Sequence, residues 1–143
     1  KLFSSIQDFS LNEHNKLLGV CLGMQLLFSK SSEFGHSRGL NIIHGEVKKL
    51  PKNNMIPNMG WNQINVKKKS PIYKGLNKKF FYFVHSFYCE PFDKKIVSST
   101  TKLNKFEFCS SIELKNIIGV QFHPEKSSVY GKKLIMNILG KLK

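Results

Sequence analysis

The sequence predicts an α/β fold in which helices cover a single sheet, and three observations lead to this prediction. The 143 residues are the size of one domain, long enough to bury an apolar core without disulfides or metals. Near each end of the chain, a short apolar run precedes a segment with helical spacing. Between these ends, residues 42–114 form short strand-like pieces separated by proline and glycine. Strand and helix on either side of a β-rich middle is an order typical of α/β domains.

Local patterns place each element in turn. Apolar residues recur at helical spacing over 1–12, which predicts an amphipathic helix. Residues 17–20 and 117–122 are short, largely apolar runs and predict buried strands. Residues 22–30, with few helix breakers, and 129–142 are predicted helices. The strand-like pieces of the middle are 44–50, 63–67, 80–86, 95–100 and 106–114.

Composition argues against several classes of protein. Hydrophobic residues make up 41% and charged residues 22%, which is ordinary globular usage. The longest apolar run, 17–28, is too short to cross a bilayer, and no secretory signal opens the sequence, so we expect no membrane association. Three cysteines without C-x-x-C spacing disfavour a disulfide scaffold and a zinc ribbon. We therefore expect a reduced, cytoplasmic protein without a metal site.

The net charge of +14 raises the alternative of a nucleic-acid partner, because lysine neutralises phosphate. However, the basic pairs are spread along the whole chain, and Arg38 is the only arginine. Alanine is absent while lysine, asparagine, isoleucine and phenylalanine abound, as an AT-rich coding genome would produce. We favour biased composition over a nucleic-acid surface, since net charge speaks to solubility and partners rather than to fold.

The first chemical motif is Gly19-Val20-Cys21-Leu22-Gly23, between a predicted strand and a predicted helix. It is the nucleophile-elbow pattern with cysteine in place of serine. We expect glycine at both flanking positions because side chains there would clash in the sharp turn. The turn would place the Cys21 sulfur at a helix N-terminus, which favours the thiolate. The alternative is a buried structural cysteine, the commoner fate of cysteine in an apolar run.

The second motif is 119–125, Gly-Val-Gln-Phe-His-Pro-Glu. Residues two apart on an extended segment point the same way, so His123 and Glu125 share a side. Pro124 pushes the residue before it toward extended geometry. An imidazole oriented by a carboxylate is the base half of a nucleophilic triad. The alternatives are a surface histidine beside an acid, or half of a metal site; the other histidines lack ligand spacing.

Together, residues 18–28 and 119–127 resemble the class I (triad) glutamine amidotransferases. Residues 58–62, Asn-Met-Gly-Trp-Asn, and 82–88, Tyr-Phe-Val-His-Ser-Phe-Tyr, narrow the resemblance to the glutaminase subunits of imidazole glycerol phosphate synthases. The resemblance covers nearly the whole chain and implies one flavodoxin-like domain over 1–143 with a central, mostly parallel sheet. This family begins with strands and a glycine-rich loop that the sequence lacks, so we expect an N-terminally truncated domain.

The resemblance implies a reaction and the residues that perform it. Cys21 would attack the side-chain amide of L-glutamine, giving a γ-glutamyl thioester and ammonia. His123 would act as the base and then protonate the leaving ammonia, with Glu125 orienting it. The backbone N–H of Leu22 would be one oxyanion donor. No cofactor is implied.

The resemblance also implies contacts with substrate and partner. Gln25 and the backbone near Ser86 and Phe87 would hold the glutamine. Ammonia would pass to a (β/α)8-barrel synthase subunit that makes imidazole glycerol phosphate and AICAR in histidine biosynthesis. The residues expected to meet the barrel are Met59, Trp61, Tyr82 and Lys126. The alternatives are that the aromatic residues are ordinary core residues and that Lys126 is one of many solvated lysines.

Two other functions stay open at this point. The same glutaminase chemistry could feed an amidotransferase for cell-surface sugars, because such paralogues resemble this family closely. The chain could also be an inactive, truncated interaction module, or a basic nucleic-acid binder without an RNP-type motif.

Overall fold

The computed structural model describes residues 1–141, which form three helices and ten strands. Helix α1 (Leu2–Leu11) leads into strand β1 (Leu17–Val20) and the short helix α2 (Leu22–Leu26). The helix α3 (Ser128–Lys141) ends the described chain. The remaining strands are β2 (Phe28–Ser31), β3 (Ser37–Arg38), β4 (Ile43–Lys49), β5 (Asn58–Val66), β6 (Phe80–His85), β7 (Phe87–Pro91), β8 (Val97–Leu103), β9 (Phe106–Leu114) and β10 (Ile117–Val120). Single turns of 3₁₀ helix lie at Pro71–Tyr73, Lys94–Ile96 and Pro124–Lys126.

The sheet follows the strand order β3-β2-β4-β7-β9-β8-β5-β6, with β10 beside β9 and β1 beside β10. The α/β class is confirmed, but the sheet departs from the mostly parallel arrangement that the resemblance implied. Among the pairings described, β1–β10 and β2–β4 are parallel and the rest are antiparallel. The turns 104–105 and 115–116 contain two residues each, and a turn that short can join only antiparallel neighbours.

Two apolar clusters form the core, one on each face of β10. Ile118 and Val120 belong to the cluster that packs beneath Leu134 and Ile138 of α3. Ile117 belongs to the other cluster, which includes Met24 of α2. Because successive residues of a strand point to opposite faces, β10 is a central layer covered by α3 on one side and α2 on the other.

The helix predicted over 22–30 is wrong beyond Leu26, because residues 28–31 form β2. The carbonyls that would continue the helix instead accept N–H groups from the segment leading into β4. The N–H of Leu40 donates to Leu26 O (2.8 Å), and that of Ile43 donates to Leu27 O (2.9 Å). Phe28 is fully buried in the core. Tertiary pairing therefore outweighs the local helical pattern.

The other predicted elements are recovered with shifted ends. The strand predicted at 63–67 begins five residues earlier, at Asn58, so the 58–62 motif lies on β5. The patterns did not predict β3 or β7. Helix α1 forms as predicted, but Leu2 and Leu11 are exposed and its buried residue is Ser10. Residue 142, the predicted end of the last helix, lies outside the described residues. Within residues 1–141, no helix is long and apolar enough to cross a membrane.

Candidate active site

Cys21 occupies a sharp turn between β1 and α2. Its N–H donates to the carbonyl of Val120 (2.8 Å), so the parallel ladder with β10 extends one residue past the end of β1. The chain then turns with Cys21 at φ 51° and ψ −107°, outside the regions that non-glycine residues normally occupy. Such strain costs about 1–3 kcal/mol and persists only where the surrounding structure imposes it. The predicted elbow is therefore present, and it projects Cys21 from the carboxyl edge of β1.

The two glycines of the elbow are not equivalent. A Cβ on Gly19 would lie 2.7 Å from the carbonyl oxygen of Gly23 and 2.8 Å from the N of Met24, both backbone atoms that cannot move aside. A Cβ on Gly23 would meet no atom within 4 Å. The expected clash is confirmed at Gly19 and wrong at Gly23. On β10, a Cβ on Gly119 would lie 2.8 Å from Cγ of Met24, so α2 packs closely on both parallel strands.

Burial of the thiol raises the pKa of Cys21 above its ordinary value. The N–H of Leu22 and the side chain of Gln121 lower this pKa without reversing the rise, while Glu125 and Glu33 add to it. The expectation of a favoured thiolate is therefore wrong for this structure, because desolvation outweighs the N–H groups of a five-residue helix. Cys21 therefore rests as a thiol and would need a base to act as a nucleophile.

His123 has the hydrogen bonding that such a base requires, and its neighbours determine which ring nitrogen carries the proton. Its Nδ1 lies 2.6 Å from Oε1 of Glu125, which accepts the Nδ1 proton and leaves Nε2 as the proton acceptor. Its backbone N–H donates to the carbonyl of Tyr82 (2.8 Å), which ties it to β6. The hydroxyl of Ser127 donates to the carbonyl of His123 (2.6 Å). The predicted pairing of His123 with Glu125 is thus present.

The Nε2 atom of His123 is buried and has no hydrogen-bond partner within residues 1–141. The Cys21 sulfur lies 3.8 Å from the carbonyl of Val84 and 3.7 Å from Nε2 of Gln121. The thiol is therefore turned toward β6 rather than hydrogen-bonded to the imidazole. Proton transfer requires rotation of the Cys21 side chain, a change that catalytic side chains commonly make when substrate binds.

Gln25 lies one turn beyond Cys21, and its Nε2 donates to the carbonyl of Phe87 (3.2 Å) and to Oε1 of Gln121 (3.2 Å). Ser86 connects β6 to β7, and its carbonyl accepts the N–H of Leu50 (2.9 Å). The structure thus brings Gln25 and Phe87 together, and Gln121 joins them to Cys21. Sequence reasoning missed Gln121, although it directly follows β10 just as Cys21 directly follows β1.

Of the residues expected at a partner surface, three share one face of the β5–β6 hairpin. Met59 pairs with Val84, and Trp61 pairs with Tyr82. Met59 is 61% exposed and Trp61 is 51% exposed, which excludes the reading of Trp61 as a core aromatic. The rings of Trp61 and Tyr82 meet edge to face at 6.0 Å.

The same face extends beyond the residues that the sequence singled out. Gln63 pairs with Phe80, which is 50% exposed and was not predicted as part of a surface. Lys126 is also exposed, in the turn that follows His123, and its N–H donates to the carbonyl of His123 (3.0 Å). We call Met59, Trp61, Tyr82 and Phe80 the hairpin face.

Comparison with known protein families and solved structures identifies the family and the fold of this chain. The family model described as glutamine amidotransferase class-I matches residues 6–141. The chain belongs to this family. The solved structures that it resembles agree on the fold. A glutamine amidotransferase from Thermotoga maritima superposes with a TM-score of 0.64 at 19% identity, covering 99% of this chain and 54% of that one. Another glutamine amidotransferase gives a TM-score of 0.71 at 13% identity, covering 99% of this chain and 68% of that one.

Among curated sequences, this amidotransferase chain is similar to proteins named imidazole glycerol phosphate synthase subunit HisH. The one from Pyrococcus furiosus is 49% identical over 128 residues, covering 89% of this chain and 66% of that protein. The one from Aquifex aeolicus is 50% identical over 125 residues, covering 87% of this chain and 60% of that protein. The chain thus spans about two thirds or less of the length of these relatives.

The unequal glycines of the elbow give a first prediction. Gly19→Ala should lower the free energy of unfolding by about 1–3 kcal/mol, because its Cβ would overlap backbone atoms of α2. Gly23→Ala should leave stability unchanged or raise it by up to about 1 kcal/mol, since alanine is the better helix former and has open space here. Urea unfolding of both variants measures the difference. Equal destabilisation by the two substitutions would contradict the close approach at Gly19.

Proposed function

We propose that this chain is the glutaminase portion of an imidazole glycerol phosphate synthase and hydrolyses L-glutamine to glutamate and ammonia. The observation that carries this proposal is the Cys21 elbow at one sheet edge beside the His123–Glu125 pair. The curated relatives named HisH support the pathway. They also favour histidine biosynthesis over the surface-sugar alternative.

In the proposed reaction, the Cys21 thiol gives its proton to Nε2 of His123 as the sulfur attacks the amide carbon of glutamine. Glu125 stabilises the imidazolium through Nδ1 and keeps the ring oriented. The developing oxyanion accepts the N–H of Leu22. His123 then gives this proton to the amide nitrogen, the C–N bond breaks to release ammonia, and the γ-glutamyl thioester remains on Cys21. Water activated by His123 hydrolyses the thioester and releases glutamate.

Gln25 and the backbone around Ser86 and Phe87 form the proposed glutamine site. The Gln25 amide already donates to the Phe87 carbonyl, so both are held in place before substrate arrives. Such preorganisation reduces the entropy lost on binding. The polar atoms lie beside the Cys21 sulfur, where the side-chain amide of glutamine must be held for attack.

The hairpin face is the proposed docking surface for a (β/α)8-barrel synthase subunit, together with Lys126. Three of its four large side chains are at least half exposed, and aromatic residues contribute heavily to interface energy. The β6 strand beneath this face carries the Val84 carbonyl that contacts Cys21. Docking here therefore places the partner close to the source of ammonia, which would enter the barrel without crossing bulk water. The resulting heterodimer would work in the cytoplasm.

Removal of the nucleophile tests the proposed reaction. Cys21→Ala should lower glutamine hydrolysis by about 10⁴-fold or more while binding of the synthase subunit is retained, because only the attacking atom is lost. His123→Ala should behave likewise, and Glu125→Gln less severely. Glutamate release in the presence of the purified synthase subunit is the measurement.

The matched control is Cys109→Ala, which removes a cysteine buried in the core at 8% exposure. It should reduce stability and leave turnover per folded molecule unchanged. Hydrolysis by Cys21→Ala at the rate of the unmodified chain would refute the proposed nucleophile.

The hairpin face gives a separate prediction. Trp61→Ala should weaken binding of the synthase subunit by about 2 kcal/mol, roughly thirtyfold in Kd, with the fold intact because the side chain is half exposed. Isothermal titration of the two purified subunits measures the change. The control is Phe92→Ala, which removes an aromatic residue of similar exposure (62%) outside the hairpin face. Equal affinity of both variants would place the interface elsewhere.

A further inference from the structure

His85 is a buried histidine that the proposed reaction does not use. It is 6% exposed and packs against the rings of Phe83 and Phe108, at centroid distances of 5.7 Å and 5.2 Å. Its Nδ1 lies 2.7 Å from the carbonyl oxygen of Phe87, and its Nε2 lies 2.9 Å from Nδ2 of Asn58. A carbonyl oxygen can only accept, so Nδ1 carries the proton and Nε2 accepts from Asn58.

The neutral form of His85 is the stable one in this setting. Burial lowers the pKa of His85 to about 4, and the nearby His123 also lowers it, while the Phe87 carbonyl acts in the opposite direction. Asn58 is itself oriented by Asn62, whose Nδ2 donates to Oδ1 of Asn58 (3.1 Å). At neutral pH, His85 is therefore uncharged, with its proton on Nδ1 and its Nε2 accepting from Asn58.

The Phe87 carbonyl links this histidine to the nucleophile. It accepts a second hydrogen bond from Nε2 of Gln25 (3.2 Å). The same Nε2 donates to Oε1 of Gln121 (3.2 Å), and Gln121 is fully buried. Because the Gln121 oxygen is engaged by Gln25, its Nε2 is the atom that faces the Cys21 sulfur at 3.7 Å. The Phe87 carbonyl, which can only accept, thus sets the direction of the Gln25 amide, and Gln25 sets that of Gln121.

We propose that His85 is a positioning residue for the nucleophile: by holding the Phe87 carbonyl it orients Gln25 and Gln121 so that an N–H, rather than an oxygen, faces the Cys21 sulfur. The use of this role in catalysis rests on the proposed function. The orientation of the Gln25 and Gln121 amides, in contrast, is a property of the folded chain. A reversed Gln121 amide would place an oxygen against the sulfur and oppose thiolate formation, since two acceptors would then face each other.

Alkylation of Cys21 tests the proposal without partner or glutamine. The rate with iodoacetamide follows the thiolate fraction, and peptide mass spectrometry separates Cys21 from the buried Cys89 and Cys109. His85→Phe keeps an aromatic ring and loses both hydrogen bonds. We expect the midpoint of its pH–rate profile to move to higher pH and the rate at pH 7.5 to fall about tenfold, because the Gln121 donor lowers the pKa of Cys21.

Two further variants separate the hydrogen bonds of the ring. His85→Asn places an amide N–H near the position of Nδ1 and should return the alkylation profile close to that of the unmodified chain. His85→Gln reaches the position of Nε2 instead and should behave like His85→Phe. The charged groups that act on the thiol, Glu125 and Glu33, are the same in all three variants, as is His123, which faces His85.

The control for general loss of a buried polar group is Asn116→Ala. Asn116 donates to the carbonyls of Ser10, Asn12 and Asn15 at the opposite end of β10 from Gln121. This variant should lower Tm and leave the alkylation profile unchanged. An equal shift in the control, or an unchanged profile in folded His85→Phe, would overturn the proposal. If His85→Phe does not fold, equal profiles for the asparagine and glutamine variants would overturn it.

Steady-state kinetics with the synthase subunit give a second readout. The KM for glutamine should rise about tenfold in His85→Gln and recover in His85→Asn, because Gln25 and Phe87 belong to the proposed substrate site. A chain that hydrolyses no glutamine yet shows the alkylation differences would refute the proposed function and support the positioning role. Equal KM values for the two variants would count against that role.

Discussion

The parallel pairing of β1 with β10 is the constraint on which the site depends. It joins segments about a hundred residues apart and aligns Gly19 with Gly119 and Val20 with Val120. Both strands end at the same edge, so the residues that follow them, Cys21 after β1 and the segment with Gln121 and His123 after β10, emerge side by side. The paired glycines also let α2 pack directly on the two strands, which fixes the turn that carries Cys21.

Burial at this edge favours the neutral form of two titratable side chains. The Cys21 thiol is neutral because desolvation raises its pKa, and His85 is neutral because desolvation lowers its pKa. The Glu125 carboxylate lies at the rim, with its side chain 53% exposed, so it retains solvation while bonded to His123. In the proposed reaction, the sulfur that gives up its proton would already face the N–H of Leu22 and the side chain of Gln121.

The sequence predicted the turn at Cys21 and the pairing of His123 with Glu125 better than it predicted their surroundings. Both features follow from local patterns, a tight turn between two glycines and an alternating extended segment. The short α2, the strand β7 and the Gln121 contact depend on pairing between distant segments, which no local window contains. At Gly23 the local pattern predicted too much. The motif suggested that a side chain there would clash, but the packing leaves open space at this position. The +14 charge likewise carried no information about the buried site.

Strand β5 serves two faces at once. Its outward residues, Met59 and Trp61, belong to the hairpin face, while Asn58 and Asn62 point inward to the hydrogen bonds of His85. Inserting or deleting one residue within the strand would exchange these sets, because side chains alternate along it. A change of length within β5 would therefore disrupt the hairpin face and the buried hydrogen bonds together. The outer surface can change by substitution, but the register of the strand is fixed by the interior that it supports.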